Sequence, residues 1–285
     1  MDIFFKDFIG GKAHPIGELS DFKIRIEFQA RGSPHAHTIL WIKNAPKFNI
    51  NSDKEIVAFI NKHQTCAIPG EENSELRQLV LSLQKHRHSE SCRRGRSCRY
   101  QFPHYPSAET VIAQKPNTDN PLLAESLIKN KAEIFTKVCK IMENKDIPED
   151  ISLESLLQMA EVCPEQYQEV VKLMKSGKKI VLQRQPSERW INQYNPKILQ
   201  TWRANMDLQF IMDPYACIMY ITSYMMKSER AMGELLKNVA EENRGEGLKS
   251  KLRTIGSSFL NNREVSAQEA VYRLFSMPLT VCETI

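Results

Sequence analysis

The chain lacks any long apolar run. Nothing in its 285 residues approaches the roughly 18 consecutive apolar positions of a membrane span. The opening "MDIFFKDFIGGKAHPIG" has no basic start, apolar block and small-residue cleavage site of the kind that directs secretion. A strong excess of one charge is missing too. The net charge is +5 and the pI about 8.7, which permits a polyanionic partner without demanding one. No internal repeat or low-complexity tract is present, so a solenoid or collagen-like chain is excluded. Nor is there a G-x-x-x-x-G-K-[ST] loop to cradle nucleotide phosphates. The seven cysteines are an odd number. Without a secretory signal, that suits a reducing compartment in which cysteines are thiols or metal ligands.

What is there reads as an ordinary globular composition, 41% hydrophobic and 26% charged, able to bury a core in one or two domains. In "DFKIRIEFQ", Phe22, Ile24, Ile26 and Phe28 alternate with Lys23, Arg25, Glu27 and Gln29, the period-two pattern of a half-buried strand. "ARGSP" supplies turn chemistry, and "HAHTILWIK" is the return strand of a hairpin over residues 20–43. Helices are expected at "SDKEIVAFINKH", with a serine N-cap, and at "NSELRQLVLSLQKH". Residues 119–182 read as a helical insertion, 206–213 ("MDLQFIMD") as a strand carrying Asp207 and Gln209, and "YACIMYITSYMMKSERAMGELLKNVAEE" as a long helix. "SAQEAVYRLF" is a further helix, opened by Ser266 and Glu269 as a capping box. Cys139, Cys163 and Cys217 read as buried thiols, and Trp190, Tyr194 and Trp202 as core or surface-anchoring aromatics.

Two constellations carry chemistry. His35 and His37, at i and i+2 on a strand, face the same side. If Gln29 pairs with His35, Glu27 sits opposite His37, and the face gathers two imidazoles, a carboxylate and a carboxamide. Such donors suit Mg²⁺ or Mn²⁺; a merely solvated strand face is the plainer alternative. In the long helix Tyr220, Tyr224 and Lys227 fall on one side, on the shoulder of the apolar stripe. Tyrosine can attack phosphorus. An ordinary phenol, with a pKa of about 10, is only about 0.1% ionised at neutral pH, so activating it means offsetting about 4 kcal/mol. A Y-x-x-x-Y pair can equally be core.

The segment "HRHSESCRRGRSC" places His86, His88, Cys92 and Cys98 at spacings that could close a tetrahedral zinc site, with Cys66 as a substitute for one histidine. Lys85, Arg87, Arg93, Arg94, Arg96 and Arg99 accompany it, next to Tyr100 and Phe102. A metal-pinned basic loop over residues 84–105 would suit single-stranded DNA through phosphate contacts and base stacking. A solvated charge run is the alternative.

"EFQARGSPHAH" together with "YITSYMMK" resembles the Rep domain of Helitron rolling-circle transposases, whose HUH motif holds a divalent metal and whose paired tyrosines attack DNA. "CRYQFPHYPS", "ERWINQYNPKILQTWRANMDLQF" and "LNNREVSAQEAVYRLFSMPL" are similar to the Helitron helicase-like N-terminal region, so the resemblance spans nearly all of residues 1–285. It implies an α+β fold in which a small antiparallel sheet carries the HUH motif and helices pack on it. His35 and His37 would be metal ligands, Gln29 or Glu27 the third, and Tyr220 and Tyr224 the nucleophiles, with Lys227 balancing charge. The implied cofactor is Mg²⁺ or Mn²⁺; structural Zn²⁺ at His86, His88, Cys92 and Cys98 is a separate expectation from their spacing. The implied activity is nicking and transfer of single-stranded DNA at transposon ends through a 5′-phosphotyrosine, in the nucleus. A catalytically inactive DNA-binding remnant is the alternative. The family also carries an earlier strand and a C-terminal helicase with a phosphate-binding loop; neither is found within these residues, so an N-terminally incomplete Rep domain and a separate helicase domain or chain are expected.

Overall fold

The computed structural model describes residues 4–28, 33–90, 92–94, 97–144, 147–148, 150–225 and 267–284, with isolated positions at 249–250, 253–254 and 257. The chain is α+β with small antiparallel sheets. It divides into two compact units, one made of Met1–Gly17 with Asn44–Met212 and the other of Glu18–Lys43 with Asp213–Ile285.

The second unit begins with the hairpin. Strand β1 (Leu19–Phe28) pairs antiparallel with β2 (Pro34–Ile42). The alternation that marks β1 in the sequence is its burial pattern: Phe22, Ile24 and Ile26 are buried while Lys23 is exposed. Each such apolar side chain contributes about 1.5–3 kcal/mol when fully withdrawn from water, which fixes which face turns inward. The expected register, with Glu27 opposite His37, does not form, and Gln29 lies outside the described residues. Glu27 lies opposite His35 and Arg25 opposite His37. Pro34, with no N–H to give, sits at the first position of its strand opposite Phe28. The shift is two residues, so every side chain keeps its expected face.

In the first unit, α1 (Asp53–His63) starts at a capping box in which Ser52 and Glu55 satisfy each other's backbone N–H groups. Helix α2 (Ser74–Leu79) opens at Asn73 and passes into π-helical turns over Val80–Gln84, so the second expected helix is interrupted. A short ribbon of β3 (Arg93–Arg94) and β4 (Ser97–Cys98) follows. Strand β5 (Val111–Gln114) precedes three helices, α3 (Pro121–Glu143), α4 (Leu153–Met159) and α5 (Pro164–Val171); the side chains of Asn120 and Ser152 cap the first two, and Pro164 opens the third. Among the described residues, 119–182 thus hold these three helices followed by β6 (Lys178–Val181), which pairs with β5. One core gathers Ile134, Phe135 and Val138 of α3 with Leu156, Leu157, Tyr167 and Val170. Another gathers Ile56, Ile60, Val80, Ile191, Tyr194 and Leu199. Buried Arg184 donates to the carbonyls of Glu188 and Ile191, tying the 186–191 loop down before α6 (Pro196–Trp202).

Residues 206–213 are irregular rather than a strand. Met206, Phe210 and Met212 pack on the second core, while Asp207 accepts hydrogen bonds from Gln193 and Gln209. Side-chain partners thus take the place of a ladder. Cys139 and Cys217 are half-buried and Cys163 is exposed, so these three are not the buried thiols expected. Tyr194 is a core residue, and Trp202 packs on Phe4 with ring centres 4.8 Å apart.

The chain returns to the second unit with α7 (Pro214–Met225), α8 (Ala267–Leu274) and β7 (Thr280–Thr284). Asp213 accepts the N–H groups of Tyr215 and Ala216, and Pro214 occupies the first helical position, a strong start signal for α7. Strand β7 pairs with β1, giving the order β2-β1-β7 with β1 in the middle. The stretch Thr280–Thr284 had no strand assigned to it in the sequence. No helix among the described residues is long and apolar enough to cross a membrane.

Candidate functional site

The hairpin face and the tyrosine helix belong to the same unit. On the face of β1 opposite Ile24 and Ile26 stand Lys23, Arg25 and Glu27; the register adds His35 and His37 from β2 and Thr280 and Cys282 from β7. His37 Nε2 lies 2.8 Å from Glu27 Oε2, a diagonal cross-strand contact between half-buried side chains. The ring of Tyr220 approaches His37 edge-on, with centres 6.3 Å apart and planes at 71°. Tyr220 is 52% exposed. A tyrosine ring, an imidazole and a carboxylate are thus gathered from segments nearly 200 residues apart along the chain.

His35 shares this face through its pairing with Glu27. It does not close a compact triad, because among the described residues the one cluster of three or more His, Cys, Asp or Glu whose ligand atoms all lie within 4.8 Å is elsewhere. As a donor set, two imidazoles and a carboxylate fit a divalent ion with water or phosphate in its remaining positions; His37 and Glu27 are the pair that converges. Tyr224 is one turn beyond Tyr220 in α7. Its side chain, and all of Gln29, Arg96 and Lys227, lie outside the described residues, as do the side chains of Arg93 and Arg94.

The second cluster is His86, His88, Cys92 and Cys98, and it could hold a metal such as zinc. His86 Nε2 is 3.3 Å from His88 Nδ1 and 3.5 Å from Cys98 Sγ, and His88 Nδ1 is 3.4 Å from Cys92 Sγ. Bond lengths of about 2.0–2.1 Å to nitrogen and 2.3 Å to sulfur give tetrahedral edges of about 3.3–3.6 Å for these pairs, so the spacing fits. Burial and the neighbouring His88 hold His86 below its usual range, in the neutral form that offers a lone pair. The N–H of Ser89 donates to Cys92 Sγ, and β3 and β4 pair Arg93 with Cys98. Cys66 takes no part: it is buried and its thiol donates to the Gln183 carbonyl, with burial pushing its pKa up to about 11.

Aromatic rings wall the cluster. Phe102 stacks on His86 at 4.4 Å and 8°, Trp190 meets His88 edge-on at 5.2 Å, and the Trp190 carbonyl accepts the N–H of His86. Trp190 is therefore part of the setting of this cluster, which its position far along the chain concealed. Arg99 and Tyr100 are exposed beside it, the guanidinium 4.5 Å above the ring centre. Lys23, Arg25, Thr280 and Cys282 complete the histidine face, and the sequence had marked none of them for the site. The alternation that singled out Glu27 already placed Arg25 on the same side, whereas Thr280 arrives only through the long-range pairing of β7.

No family model, curated protein or solved structure matches the chain.

Proposed function

We propose that the chain is an HUH-type single-stranded DNA endonuclease and strand transferase, of the kind that Helitron rolling-circle transposases carry, working on transposon ends in the nucleus. The observation that carries this reading is the convergence of Tyr220, His37 and Glu27 on one sheet face. The resemblance of "EFQARGSPHAH" and "YITSYMMK" to that family adds to it. In this reading Tyr220 or Tyr224 attacks the scissile phosphorus. The tyrosine oxygen–phosphorus bond forms as the bond to O3′ breaks; the phenolic proton passes to water and the departing 3′ oxygen gains one. Glu27 and His37 already stand 2.8 Å apart, close enough for both to turn their lone pairs to one ion. A divalent ion held by His37, Glu27 and His35 would supply charge stabilisation at the phosphate oxygens. The phosphotyrosine conserves the energy of the phosphodiester, so rejoining to a new 3′-OH needs no nucleotide. Lys227 is assigned to charge balance near the nucleophiles, and a helicase domain or chain would expose the strand.

At the His/Cys cluster we assign structural Zn²⁺, with Arg93, Arg94, Arg96 and Arg99 meeting DNA phosphates and Tyr100 offering a stacking surface.

A second reading, a DNA-binding remnant that cannot cut, is favoured by the failure of His35 to complete a compact ligand triad among the described residues. Incubating the chain with a labelled single-stranded oligonucleotide and Mn²⁺ separates the two. The endonuclease gives a covalent protein–DNA band that is lost in Tyr220→Phe/Tyr224→Phe; the remnant binds the oligonucleotide and gives no band.

A further inference from the structure

Arg25 and Lys23 are the charged residues of the histidine face that the endonuclease chemistry does not use, and Arg25 is the nearer to His37. It stands on the central strand, opposite His37 on one side and Thr280 on the other. Its Nη1 donates to Thr280 Oγ1 at 3.0 Å. The carboxylate two residues along, Glu27, is engaged with His37 instead, and among the described residues no acid pairs with Arg25. A guanidinium has five donors in a planar fork matched to a phosphate. Here one donor is fixed by a neutral hydroxyl on β7, and the cross-strand partner of Arg25 on the other side is His37, the residue whose ring faces Tyr220. A half-buried cation in mid-sheet with only a hydroxyl as acceptor is poorly satisfied by its own protein.

We propose that Arg25, held by Thr280, forms a phosphate subsite for a single DNA strand on the histidine face. The inference rests on the endonuclease reading for its ligand and deepens it. The strand would run across the sheet with one phosphate on the Arg25 fork and the reacting position near His37 and Tyr220. Lys23, the next residue on that face, extends the positive track along β1.

The test is binding of a fluorescein-labelled oligothymidylate to the full chain, measured by anisotropy across a salt series. One lost phosphate contact on a single strand lowers the slope of log affinity against log salt by about 0.7. Arg25→Gln should lose about that much. Arg25→Lys should keep the slope while binding several-fold more weakly, because a point charge replaces the fork. Lys43→Gln removes the same charge at the far end of the hairpin, where Lys43 pairs with Glu18, and should leave the slope unchanged. Should Arg25→Gln fail to fold, Arg25→Lys keeps the charge and still decides: wild-type affinity in it overturns the subsite. A wild-type slope in Arg25→Gln, or an equal loss in Lys43→Gln, overturns it as well. A lowered slope in a chain that forms no covalent band keeps the subsite and rejects the endonuclease.

Discussion

The imidazole of His37 meets the carboxylate of Glu27 2.8 Å away although the two are not cross-strand partners; Arg25 and His35 are. The contact runs diagonally across the ladder, and it leaves Glu27 between both histidines. Glu27→Gln keeps the shape and removes the charge. Mn²⁺ affinity, read by titration with electron paramagnetic resonance, should fall by about 10- to 100-fold, and adduct formation with it. Unchanged Mn²⁺ binding would remove Glu27 from the ligand set.

The His/Cys cluster predicts one zinc per chain by elemental analysis. Cys92→Ser and Cys98→Ser should each abolish it and lower the melting temperature by several degrees, because binding free energy at a closed site is folding free energy. Acid should release the metal as thiolates and imidazoles take up protons. A metal-free chain of wild-type stability would leave the cluster a set of packed thiols and rings.

The parts of the fold that local pattern determines were legible in the sequence. Ser52 and Glu55 announce α1, and the alternation from Phe22 to Phe28 announces β1. The tyrosine helix and the His/Cys cluster were legible by spacing. The hairpin register was not, because a two-residue shift leaves the hydrophobic pattern unchanged and only the placement of Pro34 decides it. Residues 206–213 alternate like a strand, yet Asn192 takes the Met206 carbonyl and the side chains find partners in the core. Trp190 and Thr280 reach their places through contacts about 100 and 255 residues away in sequence, which no window along the chain reveals.

His104 gives a pH signature. Burial first, and then the Arg184 charge, push its pKa down to about 3, against about 6.5 in an unfolded chain. The folded state holds it neutral. Its contribution is therefore complete above about pH 6.5 and is lost as the pH falls toward 3, because the unfolded chain binds the extra proton. Across that window stability should decline by up to about 1.4 kcal/mol per pH unit from this group. Urea titrations of His104→Phe between pH 7 and 4 should show a shallower decline than the wild type. Parallel declines would place the acid sensitivity elsewhere.

Arg184 is 4% exposed and donates to two loop carbonyls. Arg184→Met fills similar space and strands the Ile191 carbonyl, while the Glu188 carbonyl keeps the N–H of Ile191. A loss of about 1–3 kcal/mol for a stranded acceptor is expected in urea unfolding, together with faster proteolysis in the 186–191 loop. A stability within about 0.5 kcal/mol of wild type would mean the loop holds itself.

The most direct test of the central claim is a peptide map of the chain after reaction with single-stranded DNA and Mn²⁺. The account predicts a nucleotide-phosphoryl adduct on Tyr220 or Tyr224 and none on Tyr215, which shares the same helix and is 72% exposed. An adduct on Tyr215, or none on any tyrosine of α7 in a chain that binds both metal and DNA, would contradict it.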